Sequence, residues 1–369
     1  MSRVSLTELQ ASIQNKAGFT KLSDYPAICQ ALLNYLREAH PTRILSPKAP
    51  HYIFYQYNEA QNHNITRPLN SRLFISSTAE FLDAYGRFFD LLGDVRRFQE
   101  KAIERPTIQA YMQSGEINKV VYTIQQSIGC IGDALASANQ SRKRIGQLFE
   151  TFIKLIIQEV GVTCEPRTIR IPIPGNPGYV MSYELDLVFS RTRAIIASET
   201  KHIHPSEIVG SVKTTSKDRL DKIFLDKYLL ARLLGREIPV VAIFLHDVQR
   251  ASTSQKRQSA PGATDFGIAS TFKKNHFLGY TVALNRLDGV YYVDPRPEML
   301  VHQKLREQIR DFQQFIVADL WSLSHRSEGA ANLWSQVTED TGANTETDED
   351  FEADTEIEDN LEIDGGDSN

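Results

Sequence analysis

Three cysteines in 369 residues, Cys29, Cys130 and Cys164, are too few and too widely spaced for a disulfide framework or a CxxC zinc site. They read as reduced, mostly buried thiols, which points to the cytoplasm. No run approaches the eighteen or more apolar residues of a membrane helix, and no membrane partner is expected. The opening Met1-Ser-Arg-Val-Ser-Leu-Thr-Glu8 lacks the apolar stretch and small-residue cleavage site of a secretory signal. No GxGxxG or Walker loop occurs, which argues against a doubly wound nucleotide fold. Basic residues are missing from the whole C-terminal stretch: from Thr338 to Asn369 there is no Lys or Arg.

That last absence corrects the overall charge. The formal net charge is −5, but the segment from Thr338 holds 14 of the 46 acidic residues. The remaining 32 face all 41 Lys and Arg, so residues 1–337 carry about +9. A basic body suits a polyanionic partner. With 41% hydrophobic and 24% charged residues, the composition is that of a globular protein able to bury a large core.

Three regions follow. Residues 1–140 read as mostly helical, with apolar positions three and four apart in 23–37 and again in 77–98. Residues 141–326 alternate helix and strand. A helix is predicted over 143–160, a hairpin strand over 167–174 turning at Gly175-Asn-Pro-Gly178, and two apolar strands over 183–189 and 194–201. A helix over 215–234, a buried strand ending at Leu245, short strands near 281–284 and 290–293, and a helix over 297–323 complete the region. The pattern describes an α/β fold with a mixed sheet flanked by helices. Residues 327–369 are acidic, poor in apolar side chains and expected to be disordered; they serve to solubilise the chain or, acting as a DNA mimic, to screen the basic groove.

The chemistry lies in Asp186 and, thirteen residues on, Glu199-Thr-Lys201. Residues i and i+2 of a strand share a face, so Glu199 and Lys201 project together. If the Asp186 and Glu199 runs pair through the turn Ser190-Arg-Thr-Arg193, two carboxylates and an ammonium converge. Such a group can hold Mg²⁺ through Asp186 and Glu199, while Lys201 orients a water against a phosphodiester. Glu184, two residues before Asp186, is a rival on the same side, and Glu150 on the preceding helix is a further candidate ligand. A second motif, Lys213-Thr-Thr-Ser-Lys217-Asp218-Arg219, places cations and hydroxyls at the start of a helix, an arrangement suited to phosphate, and Arg219 suits a guanine edge.

On these residues the chain resembles type II restriction endonucleases of the PD-(D/E)xK nuclease superfamily, over about residues 143–295. The segment from Lys213 to Arg219 is similar to one found in enzymes that cut CCGG-type and interrupted CC/GG sites. The resemblance implies a PD-(D/E)xK restriction-endonuclease-like core, with Lys217, Asp218 and Arg219 reading bases and Lys213 touching phosphate or water. It also implies an alternative site. In that group the lysine leads the KTTxKDR-like segment and its carboxylate partner has migrated along the helix, which here gives Asp186, Lys213 and Asp226. The retained Glu-x-Lys favours Asp186, Glu199 and Lys201.

The expected activity is Mg²⁺-dependent, sequence-specific hydrolysis of double-stranded DNA giving 5′-phosphate ends, by a homodimer whose genetic partner is a cognate DNA methyltransferase. Two other readings are a repair or junction-resolving nuclease of the same fold and a non-catalytic DNA-binding protein on a nuclease-like core.

Overall fold

The computed structural model describes residues 4–15, 17–38, 42–46, 49–56, 67–99, 105–195, 199–200, 203–217, 219–252, 266–327 and 329. The first third is helical: α1 (Leu6–Gln14), α2 (Tyr25–Glu38), α3 (Thr78–Gln99), α4 (Arg105–Ser114) and α5 (Glu116–Asp133). A small antiparallel sheet, β1 (Thr42–Ser46), β2 (Ala49–Gln56) and β3 (Pro68–Asn70), interrupts it. Next come α6 (Ala138–Glu159), β4 (Thr163–Pro172), β5 (Val180–Ser190), β6 (Glu199–Thr200), β7 (Ile208–Thr215) and α7 (Leu220–Leu234). They are followed by β8 (Val240–His246), β9 (Val248–Ser252), β10 (Phe266–Ser270), α8 (Lys274–Ala283), β11 (Gly289–Asp294) and β12 (Ile309–Asp311).

Seven strands form one mixed sheet in the order β12-β11-β8-β7-β5-β4-β6. The β12, β11, β8 and β7 strands run parallel; β5 is antiparallel to β7 and to β4. Both faces are covered, so the central strands are apolar on both sides. On β8, Val241, Ile243 and Leu245 join the core shared with α2, α3, α5 and α6, while Val240, Ala242 and Phe244 face the core made with α7 and α8. The α/β fold with a helix-flanked mixed sheet is therefore as expected, and the helical first third packs directly onto one sheet face.

Helix α6 shows why these elements form. Ser137 caps it by accepting a hydrogen bond from the Gln140 N–H, and Ile145, Leu148, Phe149, Phe152, Ile153, Ile156 and Ile157 form a buried stripe. Burying each such side chain stabilises the fold by about 1.5–3 kcal/mol. Helix α7 ends at Gly235, whose φ of +67° a side-chain-bearing residue rarely adopts.

The hairpin expected at Gly175–Gly178 does form, pairing the 167–174 run with the Asp186 run as β4 and β5, with both glycines at positive φ. Several other expectations need correction. Residues 281–284 end helix α8 and continue into a turn; Thr281 bonds back to the Phe277 carbonyl. The helix over 297–323 is broken, because Ile309–Asp311 adds a parallel edge strand to β11. Helix α7 starts at Leu220 instead of Thr215, since Lys213–Thr215 continue the β7–β8 ladder. The 327–369 tail lies outside the described residues, apart from Ser327 and Gly329.

Candidate active site

Strand β5 delivers Asp186 with a register shift. Between its pairings with β4, Glu165 opposes Val188 and Arg167 opposes Leu185, so β5 spends one residue more than β4 there. The bulge breaks the alternation: Leu185 and Val188, three apart, both enter the α7-side core. It also brings Asp186 beside the end of β7. Asp186 Oδ2 accepts hydrogen bonds from the Val212 backbone N–H (2.9 Å), Ser211 Oγ (3.1 Å) and Lys213 Nζ (2.5 Å). Lys213 Nζ also donates to Glu150 Oε1 on α6 at 3.3 Å.

Asp226, from α7, shares with Asp186, Lys213, Glu184, Arg219 and Lys222 a small cavity of about 100 Å³. Four elements thus converge, with α6 on one side of the sheet and α7 on the other. Burial, with the nearby Asp186 charge adding to it, pushes the Glu150 carboxyl up to about 7. The Asp226 carboxyl is also raised, by burial and then by Asp186, against the lowering effects of Lys222 and Lys213. Burial thus raises two of the three acidic groups around one lysine, and their mutual negative charge adds to it.

The pairing presumed for Asp186 and Glu199 is not the one formed. Both edges of β5 are already taken, by β4 and β7. The 199–200 segment therefore docks on the free edge of β4, where Glu199 pairs with Thr168 and Thr168 pairs with Glu184. That puts the Glu199 backbone two interstrand spacings, about 10 Å, from the row of Glu184. Lys201 and Asp218 fall outside the described residues, as does the Glu199 side chain. Lys217 and Arg219 are exposed. Arg219 lines the Asp186 cavity and, with Lys217, a larger cleft on the α6 side of Lys213. The Ser211 hydroxyl and Val212 N–H that hold Asp186 carried no sequence signal, because a strand backbone reveals its hydrogen bonds only once its neighbours are known.

A second acid–base pair crosses the same sheet. Arg167 of β4 donates two bonds to Glu207, just before β7, at 2.6 and 3.1 Å; their side chains are 6% and 2% exposed. The His204 backbone N–H adds a third donor to Glu207 at 2.8 Å.

The chain aligns with the crystal structure of the Type IIP restriction endonuclease Kpn2I at a TM-score of 0.58 and 19% identity, over 88% of this chain and 99% of that one. The fold is that of a restriction endonuclease. The likeness reaches well beyond residues 143–295, so the restriction-endonuclease fold here takes in much of the helical first third. The restriction endonuclease PspGI, in complex with substrate DNA, aligns at 13% identity and a TM-score of 0.36, over 63% of this chain and 93% of that one. No family model matches the chain, and no curated protein matches it by sequence.

Among the described residues no three His, Cys, Asp or Glu side chains form a ready metal cage. Asp186, Asp226 and Glu150 nevertheless fit a hard cation that keeps much of its water. They are oxygen donors, and they stand around one lysine, whose Nζ bonds both Asp186 and Glu150. No described helix is long and apolar enough to cross a membrane, and all three cysteines are free and buried.

Proposed function

We propose that this protein is a type II, Mg²⁺-dependent restriction endonuclease that hydrolyses double-stranded DNA at a specific sequence and leaves 5′-phosphate ends. The observation that carries the reading is the convergence of Asp186, Lys213 and Glu150, with Asp226 facing the same cavity, in a fold shared with a Type IIP restriction endonuclease. The active site is accordingly Asp186, Lys213 and Asp226, assisted by Glu150, in place of Asp186, Glu199 and Lys201.

Asp186 and Asp226, with Glu150, would hold the cation. When bound, magnesium supplies Lewis-acid neutralisation of phosphate charge and lowers the pKa of a water. Asp186 is fixed for this by the Val212 N–H and the Ser211 hydroxyl, so it needs little reorganisation. Lys213, already bridging Asp186 and Glu150, orients the attacking water and faces the charge that develops on the phosphorus oxygens. Without the cation the Glu150 carboxyl is raised to about 7, so a cation held there would compete with a proton at neutral pH. Lys217 and Arg219, exposed beside the cluster, neutralise phosphates and read base edges, with Asp218 between them in sequence. A homodimer would put one such site on each strand of a palindrome, with a cognate methyltransferase protecting the host's own sites.

The test is cleavage of plasmid and phage DNA with Mg²⁺, followed by sequencing of the ends, for the wild type, Asp226→Ala and Glu199→Ala. Discrete fragments from the wild type and Glu199→Ala, and none from Asp226→Ala, are expected. Cleavage lost in Glu199→Ala and retained in Asp226→Ala would move the site to the 199–201 segment.

A further inference from the structure

The larger cleft, about 570 Å³, separates the helical first third from the end of the sheet, and Lys213 and Glu150 stand at its inner edge. Its outer wall includes one face of α6. Arg142, Gly146 and Glu150 recur there every fourth residue and so lie in a row. The row runs roughly 12 Å along the helix, at about 1.5 Å per residue, from an open rim to the reacting lysine. That is a few nucleotides of one DNA strand at about 3.4 Å per step.

Gly146 is the unexplained member. It lies in the interior of a 22-residue helix, where glycine is costlier than any ordinary residue. The protein's own packing gives no reason for it, because a Cβ there would meet nothing within 4 Å. Gly129 and Gly132 on α5 are different: their Cβ atoms would lie 2.5 Å from Arg67 and from Ile145. A glycine facing a cleft that its own chain does not fill suits close approach by an outside group.

The cations around it differ in availability. Arg67 is committed to Asp133 through bonds of 2.8 and 2.9 Å. Arg142 and Lys217 are exposed and have no carboxylate partner among the described residues. A bare helix backbone between unpaired cations is complementary to a phosphodiester chain.

We propose that the Arg142–Gly146 face of α6 is a phosphodiester-backbone site, on which a DNA strand passes over Gly146 with a phosphate held by Arg142 and Lys217, a few nucleotides from the bond cut at Lys213. The proposal rests on the nuclease reading and gives α6 a part in substrate binding. The test measures affinity for a short fluorescein-labelled duplex by anisotropy over a range of salt, with metal withheld, alongside melting temperature and plasmid cleavage with Mg²⁺. Gly146→Leu is expected to keep or raise the melting temperature while weakening binding at least tenfold. Arg142→Ala is expected to weaken binding about tenfold, the factor for one charge-assisted hydrogen bond, equally for unrelated duplex sequences, and to lower the salt slope by about one. Gly86→Ala serves as the control, being an exposed glycine of α3 whose Cβ would also meet nothing; it should leave affinity unchanged. Wild-type affinity in both Gly146→Leu and Arg142→Ala, from a protein that cuts plasmid normally, overturns this site alone. A wild-type protein that neither binds nor cuts DNA overturns the nuclease reading and this site with it.

Discussion

Two charged clusters bridge β4, β5 and β7, and they are built on opposite principles. Arg167 and Glu207 are sealed, with two bonds between them and a third donor to the carboxylate from His204. Arg193 stands 3.6 Å from the same carboxylate. Asp186, Lys213 and Glu150 are half open, with side chains 19%, 29% and 31% exposed, and their acids outnumber the lysine. A carboxylate sealed from solvent and ringed by donors has little left to offer a ligand. A surplus of carboxylates at the junction of two cavities has more. Surplus acid and access, more than the presence of charge, separate the candidate site from the scaffold.

The comparison breaks most sharply on activity. Lys213→Ala should lower the Mg²⁺-dependent cleavage rate by about 10³-fold, at the upper end for loss of one electrostatic stabiliser, with circular dichroism unchanged. Arg167→Ala should do the reverse: it strands Glu207 and costs about 3 kcal/mol or more of stability, read by urea unfolding. An Arg167 variant that lost cleavage without losing stability would erase the distinction.

A smaller effect concerns pH. Glu150 titrates near 7 in the folded chain, against an ordinary value of 4.5. The folded state holds this proton more tightly, so the contribution to stability is complete below about 4.5 and is lost as pH rises through about 7. Glu150→Gln should remove that dependence and raise unfolding stability at about pH 8, without divalent metal, by no more than about 3 kcal/mol, since partial exposure screens the effect. Added magnesium should stabilise the wild type more than Glu150→Gln, because it binds the folded form. Melting curves at acid and alkaline pH, with EDTA and with magnesium, check both statements. The smallest effect is expected from Glu199→Ala, which should leave melting temperature and cleavage unchanged.

Much of this was legible in the sequence, and the failures have definite physical causes. The apolar stripe of α6, the glycine at the end of α7 and the doubly buried strand β8 announce themselves through period and composition. Asp186, Lys213 and Glu150 were each visible as chemistry-bearing residues, and the KTTxKDR-like resemblance offered Asp186, Lys213 and Asp226 as an alternative site. Sequence alone could not supply strand order. Nearness along the chain suggested that the 183–189 and 194–201 runs would pair, whereas a strand has only two edges and β4 and β7 fill both edges of β5. In helix α5 the apolar positions Ile117, Val120, Val121, Ile124, Ile128 and Ile131 recur at helical spacing, but nothing in that period shows that its polar residues Asn118, Thr123, Gln125, Gln126 and Ser127 are buried as well. The three-residue β12 is too short to interrupt a helical pattern read over a window of a dozen positions.

The central claim is that the lysine of the reacting cluster is Lys213. Plasmid cleavage by Lys213→Ala and Lys201→Ala, measured side by side in magnesium with folding and DNA binding checked for each, tests it most directly. The account predicts that Lys213→Ala binds DNA without cutting it while Lys201→Ala cuts normally. A Lys201→Ala protein that binds but cannot cut, beside an active Lys213→Ala, would contradict it.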